Sequence, residues 1–250
     1  MWTLNNKIVT IDNNVADGGQ YFTPASLSGL AAWYGSTMNG VARTTLANGT
    51  TIVSWQDLST TEIDLAQIDA SRVVTYDSTE DAMYLNGGSN RYGLNRTTPV
   101  VSGTTDRTYF SVVKLITATA ILTPPLYQDG IAGGTSIARD YETFRYMNGL
   151  AQLDTAIAAN NWYVVSDIVH TDYGSAESRL NGTAVNNTTT NTSNWNVSGE
   201  FHISNSYYST SWYETAAQAY YREFIAYDRK LSATEITQVE DWLNTKYTIY

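Results

Sequence analysis

The apolar residues of this chain come in short runs, and Gly, Asn, Asp or Ser interrupts nearly every one. That punctuation leaves no room for long helices through most of the sequence and predicts many strands joined by turns. The candidate strands are KIVTI (7–11), LAAWYG (30–35), TIVSWQDL (51–58), RVVTY (72–76), AMYLNG (82–87), TYFSVVKLI (108–116), NWYVVSDIVH (161–170), AESRLNG (176–182), EFHISNS (200–206) and YYREFIAYD (220–228). The four prolines, at 24, 99, 124 and 125, fall between these runs, as residues without an N–H must in a sheet. Asn181-Gly182 predicts a type I′ hairpin turn, in which both central residues need positive φ. The Asn- and Thr-rich stretch 183–199 reads as a polar loop, and no internal repeat is visible.

A helical period takes over only at the end, in LSATEITQVEDWLNTKY (231–247). Ser232 and Glu235 have the spacing of a capping box, and Leu231 and Ile236 that of a hydrophobic staple. Ile236, Val239, Trp242 and Leu243 share one face, which predicts a helix closing one side of a sandwich.

A chain of 250 residues can bury one large core. Charged residues are only 15%, so Thr, Asn, Ser and Tyr must supply much of the polar surface. The net charge of −10, without any Lys/Arg cluster, argues against nucleic acid and anionic membranes as partners. The absence of cysteine excludes disulfides, thiolate metal sites and thiol nucleophiles. The N-terminal MWTLNNKIVTIDNNVADGG lacks a basic region followed by an apolar stretch, so no Sec signal is expected. No apolar run is long enough for a transmembrane helix.

Taken in order, these segments resemble a known family. PASLSGLAAWYGS (24–36), SWQDLS (54–59) and AMYLNGGSNRYGL (82–94) are similar to the opening motifs of concanavalin A-like lectin/glucanase domains of the laminin-G-like type. RTYFSVVKL (107–115), NNWYVVSDIV…SRLNGTAV (160–185) and REFIAYDRKLSATEITQVEDWLNTKY (222–247) resemble their later strands, hairpin and closing helix. The resemblance implies an all-β fold, an antiparallel two-sheet β-sandwich of the concanavalin A-like jelly-roll kind with a short C-terminal helix. It spans roughly residues 22–247, so 22–250 is taken as one domain and 1–21 as an N-terminal arm or an extra strand. Because this sandwich hosts lectins, hydrolases, adhesins and viral appendage proteins, the fold alone does not name an activity.

Within WQDLSTTEIDLAQ (55–67), EIDLAQ has the outline of a glycosidase strand. Retaining glycosidases need two nearby carboxyl groups. Glu62 and Asp64 would share a strand face with Ala66, but Gln67 stands where the second acid belongs, and an amide cannot exchange the proton. The stretch is therefore read as structural, with Trp55 and Leu58 in the core and no catalytic residues. His170 and His202 fall in different strands and read as sheet-face residues. Many laminin-G-like domains use calcium. Asp129, Asp140 and Asp172 are assigned to loops here, but they lack EF-hand spacing, so no cofactor is expected. The Asn-x-Ser/Thr sequons follow from composition.

The binding candidates are Tyr207, Tyr208, Trp212 and Tyr213 in SNSYYSTSWYE (204–214), with Trp195 in the preceding loop. Flat aromatic rings among Asn and Ser suit sugar rings, and equally suit a protein partner. The expected function is a non-catalytic surface protein of a virion or phage, such as a capsid decoration, fibre or tail component, with a lectin-like face for cell-surface glycans. It would act at the virion surface or extracellularly, as a homo-oligomer or assembled with other virion proteins. A polysaccharide hydrolase or lyase on the same fold, and a purely structural assembly module, are the alternatives.

Overall fold

The computed structural model describes residues 22–67, 73–88, 93–116, 158–170, 175–187, 199–203 and 216–250. It also gives the strand paths at Trp2–Leu4, Lys7–Val9, Pro125–Asp129, Thr135–Asp140, Thr143–Asn148, Ala151–Ala156, Tyr207–Tyr208 and Ser211–Trp212. The fold is all-β and antiparallel, with one short C-terminal helix. The strands that carry the core are numbered in chain order: β1 (Leu30–Met38), β2 (Ser54–Asp57), β3 (Leu65–Gln67), β4 (Ala82–Gly88), β5 (Leu94–Arg96) and β6 (Arg107–Leu115). They continue with β7 (Pro125–Asp129), β8 (Trp162–His170), β9 (Ser175–Leu180), β10 (Phe201–Ile203) and β11 (Ala216–Tyr227); the helix is α1 (Ala233–Tyr247).

β11 is the axis of the ladder. One side pairs with β6; the other takes β1 at Phe224↔Tyr34 and β4 at Tyr221↔Met83. β6 leads on to β8 and then β9. The second half of β1 turns to pair with β2, and from there the ladder runs β2, β3, β5, β10, β7. Phe201 of β10 and Phe224 of β11 are not ladder neighbours, yet their rings meet at 4.9 Å. The two stretches of ladder therefore face each other across a buried cluster that includes Tyr34, Trp55, Leu94, Tyr109, Tyr127 and Tyr221.

β6 and β8 are buried on both faces, which is why their sequences read as nearly continuous apolar runs. Tyr109, Val113, Val165 and Val169 enter the cluster between the facing stretches. Phe110, Val112, Val164 and Ile168 enter a second cluster beneath α1, with Trp33, Leu58, Leu231, Ile236, Val239 and Leu243. A register shift between Val112 and Val113 lets the two faces be filled on either side of a bulge.

Four of the family-like motifs have a bond that accounts for them. The buried Asp57 of SWQDLS accepts from Trp33 N and Ser59 N on one oxygen, and from Thr61 Oγ1 and Ile63 N on the other. Trp33 Nε1 donates to the buried Glu223 carboxylate, and Trp55 Nε1 to the Gly35 carbonyl at 2.9 Å. The turn expected at Asn181-Gly182 has φ of 49° and 75°, and Asn181 Oδ1 accepts Val164 N. α1 is bolted down by Glu240, which accepts from Ser166 Oγ at 2.8 Å and from Arg179 Nε at 2.9 Å.

The capping box at Ser232 and Glu235 is formed. The Arg229 guanidinium, together with the cap bonds, holds the Glu235 carboxyl down at about 2. Ser232→Ala is expected to lower the unfolding free energy by about 1 kcal/mol, read by urea denaturation; an unchanged midpoint would mean that packing alone sets the helix start.

Several sequence readings change. Thr183–Asn187 is a strand paired with β9, so the first five residues of the polar loop expected over 183–199 are not loop, and 188–198 lie outside the described residues. Asp129 closes β7 and is fully buried, and Asp140 closes the strand Thr135–Asp140; neither is a loop residue. Pro125 opens β7 rather than separating strands, a position at which its missing N–H is tolerated.

Candidate functional site

Of the aromatics singled out in the sequence, Trp195 and Tyr213 lie outside the described residues. Tyr207–Tyr208 and Ser211–Trp212 form a two-stranded hairpin with Tyr207 opposite Trp212 and Tyr208 opposite Ser211. The strand path thus puts Tyr207 and Trp212 at one register position.

EIDLAQ is not a continuous strand. Glu62 sits at φ 53°, and β3 begins only at Leu65. Asp64 Oδ1 accepts Asp57 N at 2.9 Å, so its carboxylate helps hold the turn that Asp57 organises. Trp55 and Leu58 are core residues, 0% and 1% exposed. His170 ends β8 and His202 lies on β10, strands that are not neighbours in the ladder. His202 is buried on the face opposite Phe201 and Ile203, with Nε2 at 3.2 Å from Glu200 Oε2, and burial pulls its pKa down to about 4. Asp129 takes Val100 N, Val101 N and Tyr109 OH, which makes it a clamp on the 100–101 backbone. Among the described residues no group of three His, Asp or Glu could hold a metal ion, and no helix is long and apolar enough to cross a membrane.

A different surface emerges from the register. Tyr84 of β4 pairs with Tyr220 of β11, Tyr220 with Lys114 of β6, and Lys114 with Trp162 of β8. Leu85, Ala219, Val113 and Tyr163 point into the first cluster, so strand alternation turns these four to the opposite face, where Trp162 also packs against the cluster beneath α1. All four are half-buried. Three aromatic rings and one ammonium thus form a cross-strand row. Ring centroids are 5.0 Å apart for Tyr84 and Tyr220, and 6.3 Å for Trp162 and Tyr220.

The rim of this row is polar and preset. Glu80 accepts Lys114 Nζ at 2.6 Å and Trp162 Nε1 at 3.1 Å. Tyr220 OH donates to Asp77 at 3.1 Å, and burial with the Asp77 charge pushes its pKa up to about 12. Tyr84 OH donates to Asn86 Oδ1 and accepts from Gln218 Nε2. These bonds fix the rings before any ligand arrives, with Tyr220 tilted 35° to Tyr84 and 42° to Trp162. The arrangement offers stacking surface edged with amides, hydroxyls and charges, the chemistry that grips sugar rings. Sequence reading missed it because its members come from four separated strands; the one local signal is that each sits at an outward position of its run.

No protein-family model matches the chain, and no curated protein sequence matches it. Solved structures share its fold. The Trypanosoma rangeli sialidase in complex with sialic acid is 15% identical with a TM-score of 0.62, over 95% of this chain and 36% of the sialidase. The botulinum neurotoxin serotype D binding domain is 10% identical with a TM-score of 0.63, over 85% of this chain and 50% of that one. A botulinum neurotoxin type C structure, from work on its interaction with two ganglioside molecules, is 12% identical with a TM-score of 0.58, over 78% and 51%. The chain therefore spans about a third of the sialidase and half of the toxin chains. Identities this low concern the fold alone.

Proposed function

We propose that this chain is a non-catalytic, lectin-like module that binds glycans. The observation that carries the reading is the row of Tyr84, Tyr220, Lys114 and Trp162, a preformed aromatic strip with a hydrogen-bonding rim. Likeness of fold to a sialidase complexed with sialic acid and to a toxin dependent on gangliosides supports it. The finer architecture that accords with the facing ladder stretches is a concanavalin A-like two-sheet jelly roll over residues 22–250. Residues 1–21 are then an arm whose strands Trp2–Leu4 and Lys7–Val9 pair with each other, with Lys7–Val9 lying against β1. The Tyr207, Tyr208 and Trp212 hairpin, with Trp195 and Tyr213, is a second contact surface in this reading. The setting we infer is a virion or other extracellular surface, where an acidic, cysteine-free domain meets host glycans and neighbouring structural proteins.

A glycan array probed with the full chain tests the reading. Trp162→Ala and Tyr84→Ala are each expected to weaken the best ligands about tenfold, the scale of one lost aromatic contact. If both variants keep wild-type signals on every bound glycan, the row is not the binding surface.

A further inference from the structure

One cation beside this row makes no salt bridge among the described residues, although the carboxylates of Asp81 and Glu80 lie near enough to act on its charge. Arg222 leaves β11 next to the bulge, and its guanidinium lies between two rings, 3.9 Å from the Trp162 centroid and 5.4 Å from that of Tyr247. Its Nε and Nη2 both donate to the Glu80 carbonyl oxygen, at 3.0 and 2.6 Å. The neighbouring cations are paired: Lys114 with Glu80, Arg43 with Asp81, and Lys246 with Glu223. Among the described residues no carboxylate pairs with Arg222. Burial lowers its pKa from the ordinary value, but a guanidinium starts so far above neutrality that it keeps its charge. A planar fork with donors to spare, held between aromatic faces, matches a planar or tetrahedral oxyanion better than it matches water.

The far end of the row has the opposite character. The strand Thr75–Asp77 flanks β4 there, with Thr75 opposite Tyr84 and Asp77 opposite Ala82, and the Asp77 carboxylate and Asn86 amide, already bonded to Tyr220 OH and Tyr84 OH, are acceptors suited to hydroxyls. From Tyr84 through Tyr220 to Trp162 the rings span at most about 11 Å, the reach of a short oligosaccharide. We propose that the row takes an anionic saccharide, with its carboxylate or sulfate on Arg222 and its hydroxyl-bearing rings over Tyr220 and Tyr84. This rests on the glycan-binding reading and adds the charge class of the ligand. A chain of net charge −10 repels anions at long range, so admitting one takes a local unpaired cation of this kind.

The test uses the full chain on an array holding neutral, carboxylated and sulfated glycans, with wild type, Arg222→Gln and Arg222→Lys. Wild type is expected to favour the anionic glycans. Arg222→Gln should lose about tenfold on them and clearly less on neutral ones, with Arg222→Lys between wild type and Arg222→Gln. The carboxylated and sulfated arms then tell which anion is used. Neutral glycans bound as strongly as anionic ones, with Arg222→Gln unchanged, would overturn the inference and leave glycan binding standing. No binding to any saccharide would overturn both. Should Arg222→Gln fail to fold by circular dichroism, the best carboxylated ligand and its methyl ester are compared on wild type: weaker binding of the ester is expected, and equal binding refutes the proposal.

Discussion

Glu223→Ala is expected to cost about 3–5 kcal/mol of unfolding free energy, the range for removing one partner of a buried charge pair. Glu223 is fully buried on β11 and gathers three donors from two directions. Trp33 Nε1 reaches it from β1, while Tyr247 OH and Lys246 Nζ reach it from the last turn of α1, the latter at 3.0 Å. Without the carboxylate, a nearly buried ammonium loses its counter-charge and two ring donors lose their acceptor. Glu223→Gln keeps the shape and one acceptor, so its loss should be smaller. Gly35→Ala should act on the same point, because a Cβ there would collide with the Glu223 carboxylate. Urea denaturation measures all three. A loss below 1 kcal/mol for Glu223→Ala would mean that apolar packing of α1 is enough by itself.

The second large effect depends on pH. Asp167 of β8 is buried, and burial pushes its carboxyl up to about 7 against the opposing hydrogen bonds from Ser178 Oγ and Tyr127 OH. Its folded pKa thus lies above the unfolded value of 3.8. The group's contribution to stability is fully present below pH 3.8 and is lost as pH rises through about 7. With about 1.4 kcal/mol per unit, the swing approaches about 4 kcal/mol. Asp167→Asn cannot ionise, so its stability relative to wild type should climb by up to that amount between pH 4 and pH 8. His202 works the other way. Its pKa is depressed to about 4, so its contribution is lost as pH falls from 6.5 through 4. The wild-type profile is therefore flatter than either group alone would make it, and the difference between variant and wild type isolates Asp167. A difference that stays constant with pH would show Asp167 to be ionised in the fold throughout.

The strands that were legible have dense apolar alternation or apolar runs, as in RTYFSVVKL and NWYVVSDIV. TSIARD, TFRYMN and AQLDTA, which form Thr135–Asp140, Thr143–Asn148 and Ala151–Ala156, carry Ala, Asp, Arg and Asn that weaken any strand signal. Asp129 was misread because its strand opens on Pro125 and ends on the acid itself, so both ends look like turn. Glu223 and Glu240 were invisible for a different reason. A glutamate in a strand or helix pattern reads as solvent face, and only its distant partners, Lys246 for one and Arg179 with Ser166 for the other, make burial tolerable.

The sequence by itself determined whatever depends on neighbours a few residues apart: the capping box at Ser232, the Asn181-Gly182 turn, and the alternation that sends Val113 inward and Lys114 outward. Tertiary structure alone decided which outward residues would meet. Tyr84, Lys114, Trp162 and Tyr220 share a row only because four strands pair in one register, and Arg222 makes no salt bridge because Glu80 and Asp81 form theirs with Lys114 and Arg43. Local periodicity encodes the face on which a side chain lies; register and charge pairing depend on contacts between segments far apart in the chain, and no short stretch contains them.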